Sequence, residues 1–185
     1  MKVTLIRHAA PLIPPGICYG RLDIAADPAA AEAVCRCALG RPETGVTRVW
    51  TSPARRCRDL ANAIGLSLAV TVTVDPRLQE LDFGAWEGKF WDEVAGAELD
   101  VWAASPLTFA PPGGESGATL MTRVHDFYTG LRRDQQNCIV VSHGGPLKVL
   151  AALLQGKAVD LLAPAPAIGS IETIVCAAAY KHSNG

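Results

Sequence analysis

Short β-branched runs alternate along this chain with amphipathic helical patterns, and that alternation narrows the possible folds more than any other feature. The runs are Val3-Thr4-Leu5-Ile6, Arg48-Val49-Trp50-Thr51, Val70-Thr71-Val72-Thr73-Val74, Ile139-Val140-Val141 and Ile171 to Val175. They are brief and apolar on both faces, as strands covered on both sides of a sheet must be. Helical stretches between them carry start and stop signals. Asp27-Pro28 opens one and Gly40 follows it. Ser52-Pro53 opens a second, whose stripe Cys57, Leu60, Ala61, Ile64 runs up to Gly65. Gly145-Pro146 opens a third, with Leu147, Leu150, Ala151 and Leu154 on one face and Gly156 beyond. A capping residue, an early proline and a terminal glycine mark helix limits. A fourth helix is predicted near 119–132, where Leu120, Val124, Phe127, Tyr128 and Leu131 share a face.

The predicted order is βαβαβ, an insertion over about 76–118, then αβαβ. This implies an α/β fold, a three-layer α/β/α arrangement around a mainly parallel central sheet. The insertion holds Trp86, Trp91, Trp102 and Pro111-Pro112-Gly113-Gly114, and reads as loops and short helices over one sheet end. A length of 185 residues fits one domain.

Composition removes several function classes. With 17 Lys+Arg against 18 Asp+Glu, the net charge of −1 supplies no basic field for nucleic acid or an anionic membrane surface. No apolar run approaches the roughly 18 residues of a spanning helix, since Lys157 and Asp160 interrupt the most apolar segment. The apolar start is too short for a signal peptide, so a cytoplasmic protein is expected. The six cysteines form no C-x-x-C pair and no zinc-finger spacing, and read as reduced thiols used as small apolar groups.

In open α/β sheets ligands bind beyond the carboxyl ends of the strands. Arg7-His8 follow the first strand, Ser52-Pro53-Ala54-Arg55-Arg56 the second, Glu80 lies past the third, and Ser142-His143-Gly144-Gly145 follow the fourth. Each alone could be a surface charge or a structural turn residue. Together they place two of the four histidines, several arginines and a carboxylate on one rim. Arg55 and Arg56 open a helix, where the macrodipole disfavours cations unless an anion is bound. The combination describes a pocket for a dianion such as phosphate. Phosphate-ester cleavage then needs a nucleophile and a proton donor to the leaving alkoxide. A neutral imidazole beside guanidinium groups suits the first role. Glu80 suits the second, with Asp82 as its rival.

Five blocks carry a resemblance: Leu5-Ile6-Arg7-His8, Ser52-Pro53-x-x-Arg56, Leu78-Gln79-Glu80 with Phe83-Gly84-x-Trp86-Glu87-Gly88, Gly113-Gly114-Glu115-Ser116, and Ser142-His143-Gly144-Gly145. In this order the chain resembles the histidine phosphatase, or phosphoglycerate mutase-like, superfamily. The resemblance implies His8 as the phosphorylated nucleophile, Arg7, Arg56 and His143 around the phosphoryl oxygens, and Glu80 as general acid and then base. Gly144 would join the substrate-binding set. No metal or organic cofactor is implied, and the partner would be a small-molecule phosphate monoester.

One departure stands out: the family's usual Arg-His-Gly is Arg7-His8-Ala9 here, which adds a methyl group and limits positive φ. The segment Gly16-Ile17-Cys18-Tyr19-Gly20-Arg21-Leu22-Asp23 resembles that of the α-ribazole phosphatase branch, which implies Tyr19 and Gly20 in substrate binding and a role in cobalamin nucleotide-loop synthesis. Tyr19, Phe83, Trp86 and Trp91 would suit a base-containing substrate or serve as packing. Broad sugar or metabolite phosphatases and mutase-like phosphotransferases are the alternatives within the family. Outside it stand a metal hydrolase built on His8, His143 and Glu80 or Asp82, and a non-catalytic phospho-ligand-binding domain.

Overall fold

The structure is a computed structural model that describes residues 1–41 and 45–176. Strands β1 (Lys2–Arg7), β2 (Val46–Thr51), β3 (Thr71–Val74), β4 (Asn137–Ser142) and β5 (Ile171–Val175) form one sheet in the order β3-β2-β4-β1-β5. The first four are mutually parallel, and β5 pairs antiparallel to β1. Helices α1 (Pro28–Leu39) and α2 (Arg55–Leu68) cover one face. Helices α4 (Gly117–Asp134) and α5 (Gly144–Gln155) cover the other, and α3 (Gly96–Ala104) lies in the insertion.

Strand alternation divides the core between those faces. Val3, Leu5, Cys138 and Val140 pack with Leu120, Val124, Phe127, Leu131, Leu147 and Leu150. Ile6, Val49, Ile139 and Val141 pack with Cys57, Leu60, Ala61 and Ile64. Both sides of each central strand are therefore apolar, which is why the strand runs show no polar alternation.

Asp27 caps α1 by accepting from Ala30 N at 2.8 Å, and Gly40 ends that helix as expected. Helix α2 departs from the expected limits at both ends. It begins at Arg55 rather than at Ser52-Pro53, and Asp23 from the N-terminal loop accepts from Arg55 N at 2.7 Å. It also runs past Gly65 to Leu68, with Ala69 in the left-handed region at φ 55°. Gly65 is a contact glycine, because a Cβ there would lie 2.3 Å from Val72 Cγ2.

The insertion consists of single 3-10 turns at Pro76–Leu78 and Gly84–Trp86, followed by α3. It assembles its own aromatic cluster. Trp86 packs edge-to-face on Trp91 and Trp102 and stacks on Phe83 and Phe109, while its Nε1 donates to Glu98 at 2.7 Å.

Candidate active site

Strand register brings the sequence motifs together. Arg7 pairs with Ser142 across β1 and β4, and Thr51 pairs with Val141 across β2 and β4. The next residues, His8, His143 and Ser52, therefore leave three adjacent parallel strands side by side. His8 N donates to Ser142 O at 3.0 Å, which continues the ladder into the site. The two imidazole rings meet at 64° with centroids 5.2 Å apart.

Their hydrogen bonds define their tautomers. His8 Nδ1 faces Ala9 O at 2.7 Å, and a carbonyl can only accept, so Nδ1 carries the proton. The other nitrogen, Nε2, is buried and has no hydrogen-bond partner among the described residues. Burial is the main force holding the pKa down to about 3, with Arg56 and Arg7 adding to it against the Ala9 carbonyl. His8 thus presents a neutral ring with a free lone pair. In His143, Nδ1 accepts from Arg56 Nη2 at 3.2 Å, and Nε2–H donates to Ser52 Oγ at 2.8 Å. Burial, then Arg56, keeps this ring neutral too.

Arg56 is fully buried yet forms no ion pair among the described residues. Its guanidinium donates to Leu22 O and Gly20 O, both at 2.7 Å, and lies 5.1 Å from the centre of the Tyr19 ring. Arg7 Nη1 donates to Pro166 O. Both arginines keep a buried Nε–H without a partner, and with His8 Nε2 these are the only buried side-chain nitrogens or oxygens so left among the described residues. Buried polar atoms are satisfied as a rule, so this coincidence marks a place built for an anion.

Gly20 has φ +26°, and a Cβ would lie 2.2 Å from Glu87 Oε1, so only glycine can present its carbonyl to Arg56 here. Tyr19 stands edge-on to His8 with ring centroids 6.3 Å apart. Gly144 opens α5 against Arg7, leaving no space for a side chain beside Ala165. Ala9 is buried, and positive φ among the described non-glycine residues occurs only at Ala69 and Gln135. The conformational freedom of glycine is therefore not used at position 9.

Glu80 borders two clefts. One, of about 490 Å³, is lined by Gly20, Arg21, Asp23, Arg56 and His143. The other, of about 680 Å³, has walls of Leu81, Phe83, Trp102, Leu120 and Leu161, with Arg7 and Lys148 also facing it. The Glu80 side chain is half-buried with its carboxyl turned inward, where it accepts from Leu81 N at 3.0 Å and Gly145 N at 3.1 Å. Desolvation raises its pKa, outweighing those donors and the pull of Arg7 and Arg56. Asp82 is otherwise engaged: it accepts from Gly84 N and pairs with Arg21 at 3.2 Å.

Among the described residues no three His, Cys, Asp or Glu side chains are placed to hold one metal ion. Of the four aromatic candidates, Trp86 and Trp91 belong to the insertion's packing, Tyr19 lies in the site and Phe83 faces the larger cleft. Lys148 and Trp102, which line a cleft, and Arg123, which donates to Glu80 O, have roles that no local pattern announced, whereas Ser52 belongs to the rim motif and here faces His143. Their contacts arise only when distant elements meet.

The profile of the Histidine phosphatase superfamily (branch 1) matches residues 3–175. Phosphoserine phosphatase 1 of Hydrogenobacter thermophilus is 30% identical over 172 residues, covering 87% of this chain and 78% of that protein. Glucosyl-3-phosphoglycerate phosphatase of Mycolicibacterium vanbaalenii is 34% identical over 125 residues, or 60% of this chain and 55% of that one. Among solved structures, the α-ribazole phosphatase of Shigella flexneri superposes with a TM-score of 0.82 at 24% identity, covering 94% of this chain and 89% of its own. A sheet whose parallel strand ends assemble the two histidines, and a sequence match from the first strand to the last, together establish that the chain belongs to the histidine phosphatase superfamily.

Proposed function

We propose that the protein is a metal-independent phosphomonoesterase working through a phosphohistidine. The observation that carries this reading is the set of orphaned atoms: an imidazole lone pair on His8 beside two unpartnered guanidinium N–H groups. Nε2 of His8 attacks phosphorus, and the bond from phosphorus to the leaving oxygen breaks. Glu80, whose pKa burial raises, transfers its proton to that oxygen and the alcohol departs. The resulting carboxylate takes a proton from water as its oxygen attacks phosphorus. The P–N bond then breaks and inorganic phosphate leaves, restoring His8. Arg7 and Arg56 neutralise the phosphoryl oxygens throughout, and an oxygen entering beside His8 competes with Ser52 for the Nε2–H of His143.

The substrate is α-ribazole 5′-phosphate, hydrolysed in cobalamin nucleotide-loop synthesis. Its heterocycle suits the apolar cleft bearing Phe83 and Trp102 on Glu80's leaving-group side, and the Cys18-Tyr19-Gly20 segment lies against Arg56 and His8. A specific observation favours a second reading, a leaving group bearing a carboxylate. Lys148 faces the same cleft, and the relatives named above are called phosphatases of phosphoserine and glucosyl-3-phosphoglycerate.

Rapid alkaline quenching with ³²P-labelled substrate should capture base-stable, acid-labile label on His8 and none in His8→Gln. Label on another residue sinks the mechanism. In parallel, kcat/KM on α-ribazole 5′-phosphate should exceed that on phosphoserine at least tenfold, undiminished by EDTA. The reverse ranking selects the carboxylate class.

A further inference from the structure

We propose that Arg123, on α4, is a positioning residue for the general acid, acting through a clamp it forms with Glu115 and Arg21. The inference rests on Glu80 being that acid. Glu80 lies in a segment that leaves its 3-10 turn at Leu78 and continues with no strand partner. One side chain, Arg123, holds three of its backbone carbonyls, while Ser142 Oγ donates to Leu78 O at 2.7 Å and Arg21 Nε reaches Glu80 O at 3.5 Å. Arg123 Nη1 donates to Arg77 O at 2.7 Å and Gln79 O at 2.6 Å, and Nη2 donates to Glu80 O at 3.0 Å. Arg123 Nη2 and Nε also grip Glu115, at 2.5 and 3.2 Å.

Glu115 completes the other side. Its Oε1 accepts from Asp82 N at 3.2 Å, and its own N–H donates to Asp82 O at 2.9 Å. Arg21 spans both acids, with contacts of 3.2 Å to Glu115 and to Asp82. Residues 77–82 are thereby fastened to the start and the second turn of α4, which spring from Gly113-Gly114-Glu115-Ser116. Ser116 caps that helix through Thr119 N.

The clamp is largely buried, with side-chain exposures of 14% for Arg123 and 9% for Glu115. Charge-assisted bonds there are stronger and less screened than at a surface. Among the described residues the Glu80 carboxyl accepts only from Leu81 N and Gly145 N, so its position follows the backbone that Arg123 holds together with Ser142 and Arg21. A displacement near 1 Å at a reacting group can cost about 100-fold in rate. A planar fork can span three carbonyls and a carboxylate at once, which an ammonium cannot.

The test combines Arg123→Lys, Glu115→Gln and Glu80→Gln, each checked for folding by circular dichroism and thermal unfolding. Single-turnover phosphohistidine formation is measured on an alkyl phosphate and on p-nitrophenyl phosphate, whose leaving group needs no proton. Arg123→Lys should lose about tenfold or more on the alkyl ester and under threefold on the aryl ester, with the basic limb of the alkyl pH profile shifted. Glu115→Gln should show the same bias more weakly, and it decides the matter if Arg123→Lys does not fold. Added to Glu80→Gln, Arg123→Lys should cost little more. Equal losses on both esters in the clamp variants, or full additivity with Glu80→Gln, overturn the proposal. Equal losses on both esters in Glu80→Gln itself overturn the acid assignment beneath it.

Discussion

In the proposed mechanism the phosphate side and the leaving-group side of the site are built by different means. His8, Ser52 and His143 emerge from adjacent parallel strands, are almost inaccessible, and inherit their spacing from the sheet register. Across Glu80, the larger cleft is walled mostly by the insertion of about 76–118 and by Leu161 and Ala165 of the segment before β5, with Leu120 of α4 and Lys148 of α5. That wall is tied down by side chains such as Arg123, and by Lys148, which donates to Leu161 O at 2.7 Å. A sheet fixes atoms for one invariant group, the phosphoryl. Braced loops can change their lining without moving the strands, which suits the variable part of a substrate.

Glu80 sits on the boundary, and its removal gives the largest effect that separates the two sides. Glu80→Gln should slow phosphohistidine formation from alkyl phosphates about 100-fold or more and from p-nitrophenyl phosphate less than tenfold, while its loss as base slows dephosphorylation equally for both. Single-turnover phosphohistidine formation measured on both esters checks this. The raised pKa fixes the direction of the pH dependence. The acid must be protonated to donate, so alkyl-ester turnover falls as pH rises through the Glu80 pKa, and the limb disappears in Glu80→Gln. Uniform loss on both esters would place Glu80 among the phosphate-binding groups instead.

What could be read in advance follows the same division. The strand runs, the termini of α1 and α5, and the residues His8, Arg56 and His143 were visible because each is set by local pattern and motif spacing. Gly65 was misleading, since a glycine needed for contact with Val72 and a glycine that ends a helix look alike in one dimension. Ser52 reads both as a rim residue and as a helix start; its hydroxyl faces His143, while α2 begins at Arg55, whose N–H donates to Asp23. Arg123 meets residues more than 40 positions away, and no periodicity reports such contacts. Trp102 looked like one more tryptophan of the insertion until the fold placed it on the cleft wall.

On the phosphate side the price of a buried neutral pair should appear in stability. His8 has a folded pKa near 3 and an unfolded value of 6.5. Between those values the unfolded chain binds a proton that the folded chain does not, so stability is lost as pH falls from about 6.5 towards 3. For His8 alone this amounts to about 2 kcal/mol at pH 5. His143 is shifted in the same direction and adds to the loss. Urea unfolding at pH 7, 6 and 5 should therefore give a shallower pH dependence for His8→Gln than for wild type. Identical slopes would mean that His8 binds protons alike in the folded and unfolded chains, so that burial does not hold it neutral.

The smallest effect is expected on the leaving-group side, at Lys148. Its ammonium is partly desolvated, which lowers its pKa, with Asp160 and Glu80 opposing the shift. One N–H goes to Leu161 O, and the remaining donors are available to the cleft. Lys148→Met keeps the length of the stem and removes charge and donors. For a nucleoside-like leaving group it should raise KM by less than about threefold with kcat unchanged, because uniform binding affects KM and not the chemical step. For a carboxylate-bearing phosphate ester the same variant should raise KM about tenfold or more, the usual scale for a charged hydrogen bond. The ratio of the two KM changes thus reports what the cleft selects. Changes in kcat on both esters would instead mean that Lys148 and Leu161 hold the cleft wall in place for the chemistry itself.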